Sequence, residues 1–301
     1  MPCAPPSEPN TSRPEVAGAP TLGEVLDHEA RRLATAHVRE PRRQAAAIWA
    51  WLENTTVGEV WLRRIGAAEP AAVERFRAAI QRRIGGEPMP YVVGRAGFRT
   101  LSLAVDRRVL IPRPETEGLV DHVLAWARDH GRYGAVADIG TGSGCIALSL
   151  AVEGRFERVV ATDVSDDALA VARENLALIG PAVPFELRQG ALFEPLADES
   201  FDAMVSNPPY VSESEFAELE DSVRLFEPRS ALVSDGDGMG HTEALLAGAG
   251  AYLANGGLLA LEVDAARAER TRQVALDLGW SDVRIEHDLF GRPRYLLANR
   301  E

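Results

Sequence analysis

Short apolar runs alternate with helical patterns in the sequence beyond residue 133. The runs lie at 135–139, 159–163, 185–187, 203–206 and 258–263, and helical patterns separate or follow them around 143–153, 166–178, 241–254 and 266–278. Short continuous apolar runs separated by helices are typical of buried parallel strands. Two further strands near 282–287 and 294–298 flank a turn-forming Gly-Arg-Pro and predict a terminal antiparallel pair. The expected fold is therefore α/β, with a mostly parallel seven-stranded sheet.

Three segments precede this sheet. Residues 1–20 hold six prolines without apolar periodicity and predict a disordered tail. Residues 21–87 open with a capping-box pattern at Thr21 and continue with helical spacing, which predicts a small helical domain. Its tryptophans either pack in its core, which we favour, or line its outer face; they are Trp49, Trp51 and Trp61.

The segment 88–112 shows a change of period. Short apolar stretches at 91–93, 98–105 and 109–111 are separated by glycine and aspartate, which predicts a β-hairpin linker. Pro114 then suits the first turn of a helix that opens the last domain, 113–301.

Charge and residue usage disfavour several kinds of site. The 45 acidic residues outweigh 32 basic ones, so the formal charge of −13 disfavours a nucleic-acid partner. All 32 basic residues are arginine, which excludes a Schiff-base lysine or a P-loop lysine. Cys3 and Cys145 are the only cysteines, and the apolar runs are too short to span a bilayer. We expect a cytoplasmic protein with no metal site and no membrane contact.

A glycine-rich loop follows the first predicted strand and opens a helix. Its residues are Gly140, Thr141, Gly142, Ser143 and Gly144. Bare backbone at a helix N-terminus lets a ligand approach closely, and Asp163, at the end of the next strand, is placed to accept hydrogen bonds from ribose hydroxyls. This pattern predicts a nucleotide-like ligand, which is either a dinucleotide or S-adenosylmethionine.

The fourth strand ends in a motif that favours S-adenosylmethionine. Its residues are Asn207, Pro208, Pro209 and Tyr210. The Asn207 side-chain oxygen and the Pro208 carbonyl can both accept hydrogen bonds from one planar amino group, on which Tyr210 stacks. Such a clamp aims a delocalised nitrogen at an electrophilic methyl group.

The order and spacing of five motifs resemble those of the peptide chain release factor N(5)-glutamine methyltransferases, the PrmC/HemK family. The motifs are Val109-Leu110-Ile111-Pro112-Arg113-Pro114-Glu115-Thr116-Glu117, the glycine-rich loop, Asn207-Pro208-Pro209-Tyr210, Phe226-Glu227-Pro228-Arg229-Ser230-Ala231-Leu232 and Asp235-Gly236-Asp237-Gly238. The resemblance covers residues 22 to 298. It implies a Rossmann-like class I methyltransferase domain at 113–301 and a substrate-recognition role for 21–87. It also implies S-adenosyl-L-methionine as cofactor, and a monomeric enzyme that methylates the Gly-Gly-Gln glutamine of release factors.

The resemblance also implies roles for single residues. Gly140 to Gly144 and Asp163 would hold S-adenosylmethionine, and Leu192 would lie against its adenine. Asn207 would touch both cofactor and substrate, as part of a clamp that ends at Tyr210. Residues Arg113, Glu115 and Glu117 would cap the cofactor cleft, or else form an ion-paired helix start.

Three positions depart from the family pattern. Ala191 replaces an acid, Asp264 and its neighbours lack a usual glycine and glutamine, and Arg99-Thr100 stands where an aromatic residue and a glycine are common. These departures leave open a paralogue that methylates a small-molecule amide or amine. A nucleic-acid amino-methyltransferase is disfavoured by the acidic charge, and a catalytically silent binding module by the intact clamp.

Overall fold

The computed structural model of the protein describes residues 19–301, and the chain divides into two units after Gly85. The tail predicted for residues 1–20 therefore lies, up to residue 18, outside the described residues. Among residues 19–301, no helix combines the length and apolar character needed to cross a membrane.

The first unit is helical in its described part. Its helices are α1 (Leu22–Thr35), α2 (Pro41–Leu52), α3 (Val57–Leu62) and α4 (Pro70–Ile84). At the start of α1, the Thr21 hydroxyl accepts from the Glu24 N–H at 3.2 Å, while the Glu24 carboxylate accepts from the Thr21 N–H at 2.8 Å. This capping box satisfies two of the N–H groups that a helix start leaves unpaired, and it confirms the predicted start.

The tryptophans of this unit divide between its core and its surface. Trp49 is buried and packs edge-on against Phe76, with ring centroids 5.2 Å apart. Trp51 and Trp61 are 42% and 39% exposed, so the favoured core position is wrong for these two, which lie on the outer face. Trp51 is two residues from Trp49 on α2, and residues with that spacing face different sides of a helix.

The second unit begins with a short helix and a hairpin. They are α5 (Met89–Val93), β1 (Arg95–Phe98) and β2 (Leu101–Ala104). Antiparallel pairing of β1 with β2 confirms the hairpin, but the strands predicted at 91–93 and 109–111 are wrong. Pro90 in the first turn of α5 favours helix over strand, and Gly94, with φ of +74°, ends it in the left-handed region.

A seven-stranded sheet forms the rest of the second unit. In chain order its elements are α6 (Pro114–His130), β3 (Ala135–Ile139), α7 (Cys145–Glu153), β4 (Arg158–Asp163), α8 (Asp166–Ile179), β5 (Phe185–Gln189), β6 (Phe201–Ser206), α9 (Glu213–Glu218), α10 (Asp221–Arg224), α11 (Gly240–Gly248), β7 (Leu253–Glu262), α12 (Ala268–Asp277), β8 (Ser281–His287) and β9 (Pro293–Asn299). The strand order is β5-β4-β3-β6-β7-β9-β8, and β9 runs opposite to the other six strands of this sheet. The predicted α/β sheet and its terminal antiparallel pair are confirmed.

Alternating residues of each central strand face opposite layers of helices. Val136 and Val159 lie in the cluster that contains buried residues of α6 and α7. Ala137 and Val160 lie in the cluster that contains buried residues of α11 and α12. Because both faces are covered, the central strands are apolar at nearly every position, which is why they could be recognised in the sequence.

The strand order reverses between β3 and β6. From β3 the chain proceeds outward through β4 to β5, and it then returns to place β6 on the other side of β3. Such a reversal leaves a crevice outside the carboxyl ends of the two strands, where ligands of open α/β sheets bind. The glycine-rich loop follows β3 and the Asn207 motif follows β6, so both motifs meet at this crevice.

Candidate active site

The glycine-rich loop adopts a backbone that requires glycine. Gly140, Gly142 and Gly144 have φ values of +73°, +56° and +83°. A Cβ atom added at Gly140 or Gly142 would meet nothing within 4 Å. Glycine is therefore needed there for its conformation rather than for lack of space, and the backbone stays open to a ligand.

The N–H groups of this loop are largely committed to the end of β4. Gly140 and Thr141 donate to the Thr162 carbonyl at 2.9 and 2.8 Å, and Gly142 donates to Asp163 Oδ2 at 2.9 Å. Asp163 Oδ1 accepts from the Ser165 N–H at 2.9 Å. Each carboxylate oxygen keeps a further lone pair, so Asp163 can also accept from a ligand. Burial raises the pKa of Asp163.

Asp138 supports the loop from inside the sheet. Its Oδ2 accepts from the Thr141 hydroxyl at 2.6 Å and from the Ala147 N–H at 3.1 Å. Burial raises the pKa of this carboxyl to about 7. Asp138 does not line the cavity in front of the loop, so it shapes the loop instead of contacting a ligand.

A cavity of about 490 Å³ occupies the crevice between β3 and β6. Most of the predicted site residues line it, namely Gly140, Thr141, Gly142, Ser143, Asp163, Leu192, Asn207, Pro208 and Pro209. Gly144 and Tyr210 do not line it, since Gly144 is the residue before α7 and the Tyr210 hydroxyl points to Glu262. The cavity volume falls in the range of small-molecule and cofactor sites.

The Asn207 carboxamide is held by Thr116, which is held in turn by Glu262, and the sequence assigned no role to either residue. Asn207 Nδ2 donates to Thr116 Oγ1 at 3.1 Å, and Thr116 Oγ1 donates to Glu262 Oε2 at 2.7 Å. Tyr210 donates its hydroxyl to Glu262 Oε1 at 3.3 Å. Since Nδ2 is committed to Thr116, Oδ1 is the Asn207 atom available to a ligand. Burial raises the pKa of Glu262.

Two features of the sequence single out Thr116 and Glu262. Thr116 lies in the 109–117 motif on the first turn of α6, and Glu262 is a lone acid that ends the apolar strand β7. A buried carboxylate costs free energy unless hydrogen-bond donors face it, so such an acid points to a specific local partner. The sequence does not show which partner it has.

Of the three residues predicted to cap the cleft or to pair at the helix start, one lines the cavity. Arg113 does so and donates to Glu227 Oε1 at 2.6 Å. Glu115 lies 3.8 Å from the Arg292 guanidinium, and Glu117 accepts from the Arg99 N–H at 2.8 Å. At the start of α6, Glu115 thus forms an ion pair and Glu117 accepts a backbone hydrogen bond, and neither acid lines the cavity.

The three departures from the family pattern differ in whether they lie at the cavity. Ala191 lines the cavity and donates its N–H to Glu194 at 3.1 Å. Asp264 pairs with Arg267 at 3.0 Å, and Arg99 pairs with Glu153 at 2.7 Å. Neither Asp264 nor Arg99 lines the cavity, so Ala191 alone of these three can contact a ligand there.

A likeness to a solved structure supports the fold. The hMettl16 catalytic domain, solved in complex with MAT2A 3′UTR hairpin 6, has a TM-score of 0.53 at 18% identity and covers 77% of this chain and 82% of that one. At this identity the likeness concerns the fold alone.

Family models and curated relatives match most of the chain. The PrmC N-terminal domain matches residues 24–94, and the Methyltransferase small domain matches residues 116–238. The release factor glutamine methyltransferase of Moorella thermoacetica is 40% identical over 281 residues, which cover 93% of this chain and 99% of that protein. That of Cereibacter sphaeroides is 38% identical over 267 residues, or 89% and 94% of the two chains. The chain therefore belongs to the family of release factor glutamine methyltransferases.

Proposed function

We propose that this protein transfers a methyl group from S-adenosyl-L-methionine to the side-chain amide nitrogen of a glutamine in the Gly-Gly-Gln loop of a peptide chain release factor. The observation that carries the proposal is that one cavity joins the glycine-rich loop to the Asn207-Pro208-Pro209 turn. A donor of methyl groups and a planar amide acceptor could thus lie side by side. The names of the curated relatives supply the release factor as substrate.

The residues present fit S-adenosylmethionine. The open backbone of 140–143 suits close approach, Asp163 keeps lone pairs for two ribose hydroxyls, and Leu192 offers an apolar surface for adenine. When bound, S-adenosylmethionine supplies an electrophilic methyl group. The chain's own residues would hold it at the carboxyl end of β3 and expose that methyl toward Asn207.

Asn207 and Pro208 would orient the substrate nitrogen. An amide nitrogen is a poor nucleophile because its lone pair is shared with the carbonyl group. If Asn207 Oδ1 and the Pro208 carbonyl accept both N–H bonds, they hold the nitrogen in line with the methyl group and stabilise the positive charge that develops on it. The nitrogen then loses one proton to solvent, so the chain need not supply a general base.

A small-molecule amide or amine is the less favoured substrate. Three departures from the family pattern leave this substrate open, and two of them, at Asp264 and Arg99, do not line the cavity. High identity to release factor glutamine methyltransferases over most of the chain argues against it as well. A cytoplasmic location and a monomeric state stay predictions of the sequence.

Mass spectrometry of a release factor incubated with the protein and S-adenosylmethionine tests the proposal. We expect a gain of one methylene unit on the glutamine of the Gly-Gly-Gln loop and none on a factor in which that glutamine is alanine. Labelling of cell-extract metabolites with tritiated cofactor, without labelling of the factor, would overturn the proposal in favour of a small-molecule substrate.

A further inference from the structure

We propose that Glu262 is a positioning residue that acts through Thr116 to set which edge of the Asn207 carboxamide faces the substrate. The inference deepens the proposed glutamine methylation and rests on it. It concerns a chain of hydrogen bonds that runs from β7 through the first turn of α6 to the turn after β6.

The direction of this chain follows from the number of protons available. A threonine hydroxyl has one proton and two acceptor lone pairs. Thr116 lies 2.7 Å from Glu262 Oε2. Burial raises the pKa of Glu262, but Oε2 accepts both in the ionised acid and in the acid that carries its proton on Oε1, so the Thr116 proton is used on Oε2 in either state. Thr116 must then accept from Asn207, which places Nδ2 on the Thr116 side at 3.1 Å. The carboxylate thus determines that Oδ1 lies on the other edge of the amide.

The opposite orientation would oppose the proposed reaction. With Oδ1 toward Thr116, the Nδ2–H bonds of Asn207 would face the N–H bonds of the substrate amide. Donor would then face donor, and the developing positive charge would lie beside the positive edge of a dipole. An asparagine side chain is nearly symmetric in shape, so packing by itself does not distinguish the two orientations.

Burial makes the arrangement rigid. Glu262 is 1% exposed and Thr116 is 2% exposed, so water does not compete for their hydrogen bonds. The second oxygen of Glu262 accepts from Tyr210, which connects the carboxylate to the last residue of the clamp as well. Tyr295, which pairs with Glu262 across β7 and β9, donates its hydroxyl to the Glu115 carbonyl and ties the first turn of α6 to the sheet.

Two substitutions of Thr116 test the relay. Thr116→Val keeps the shape and removes the hydroxyl, and we expect kcat for release factor methylation to fall ~10- to 100-fold, with KM within ~3-fold of wild type. Thr116→Ser restores the hydroxyl and should restore kcat to within ~3-fold. Equal kcat values for the valine and serine variants would overturn the relay.

A double-mutant cycle tests the role of Glu262. Glu262→Met keeps a similar volume and removes both acceptors, so the Thr116 proton is free to turn toward Asn207 and kcat should fall in the same direction as in Thr116→Val. If Glu262 acts through Thr116, the double variant should be no slower than Thr116→Val, within ~2-fold. Losses that multiply would mean that Glu262 acts independently of Thr116, and the inference would be wrong.

A measurement without substrate separates this inference from the proposed function. The side-chain amide signals of Asn207 in ¹⁵N NMR spectra can be assigned by their loss in Asn207→Asp. We expect them to shift in Thr116→Val and Glu262→Met and to stay near their wild-type positions in Thr116→Ser. Unchanged signals in Glu262→Met would overturn the inference even in an active enzyme. If the signals shift as expected but the protein does not methylate release factor, the proposed function is wrong and the inferred orientation of Asn207 stands.

Discussion

Arg113 and Glu227, which are 114 residues apart in the sequence, are joined by a hydrogen bond of 2.6 Å from the Arg113 guanidinium to Glu227 Oε1. The other oxygen of Glu227 accepts from the Ile111 N–H at 3.0 Å. Glu227 is buried, whereas Arg113 is partly exposed and lines the cavity. This pair connects the 109–117 motif to the 226–232 motif and fixes Arg113 in the wall of the cavity.

Removal of Arg113 should destabilise the second unit. In Arg113→Ala the buried Glu227 carboxylate loses its cationic partner, and we expect the free energy of unfolding to fall by about 1–3 kcal/mol in urea titrations. Arg128→Ala, which breaks an exposed pair with Asp129, is the matched control and should change it by less than about 0.5 kcal/mol. Similar losses in the two variants would contradict a structural role for the Arg113 pair.

Replacement of Asp163 should weaken cofactor binding. In Asp163→Ala a ligand loses its charge-assisted hydrogen bonds to the carboxylate, and the loop loses the contact to the Gly142 N–H. We expect S-adenosylhomocysteine to bind about 1–3 kcal/mol more weakly by calorimetry. Asp163→Asn keeps an acceptor and should lose less. Micromolar binding of NADH to the wild type, with none of S-adenosylhomocysteine, would contradict the assignment of the site.

Truncation of Asn207 should impair the chemical step more than binding. In Asn207→Ala the substrate nitrogen loses an oxygen that orients it as positive charge develops. We expect kcat to fall by at least about 100-fold, the scale for one preorganised polar contact. Affinity for S-adenosylhomocysteine, measured by calorimetry, should change far less. Near-normal turnover would show that the clamp is formed by other residues.

Stability should depend on pH through Asp138. Burial raises its pKa from 3.8 in the unfolded chain to about 7 in the folded protein, so the fold binds a proton that the unfolded chain releases. The stabilisation is complete below pH 3.8 and is lost as the pH rises through about 7. Asp138→Asn stays neutral and lacks this pH dependence. As the pH rises from 3.8 to about 7, the unfolding free energy of the variant minus that of the wild type should therefore increase by ~2–4 kcal/mol in urea titrations. A constant difference between the two proteins would refute the raised pKa.

The exposed apolar residues of the first unit should contribute to recognition of a protein substrate. Leu62 and Ile65 are 82% and 85% exposed. Leu62→Ser with Ile65→Ser should raise KM for intact release factor ~3- to 10-fold, because uniform binding is lost, and should leave S-adenosylhomocysteine binding unchanged. Leu178→Ser, on an exposed part of α8, is the matched control. A KM equal to that of the control would argue against recognition by this surface.

The alternation of apolar runs with helical patterns was sufficient to predict the sheet, its strands and the terminal antiparallel pair. Strands buried on both faces need apolar residues at nearly every position, and that requirement is visible in the sequence alone. The glycine-rich loop and the Asn207 motif were recognisable for a similar reason. Positive φ values and a proline-fixed turn limit the residue types that can occupy those positions.

Local patterns were less informative for short apolar segments, because such segments occur in both helices and strands. The segment 91–93 reads as a strand by its residues, but prolines and a left-handed glycine make it one turn of helix. Trp51 is as apolar as Trp49, yet it faces solvent because of its position around the axis of α2.

The sequence by itself determined the fold class, the family and the residues at the ends of β3 and β6. Only the tertiary structure decided that Glu262 holds Thr116, 146 residues away, and that Thr116 orients Asn207. Apolar periodicity encodes which face of an element is buried. The partner of a buried polar side chain instead depends on which elements end at the same edge of the sheet, and that is set by the strand order.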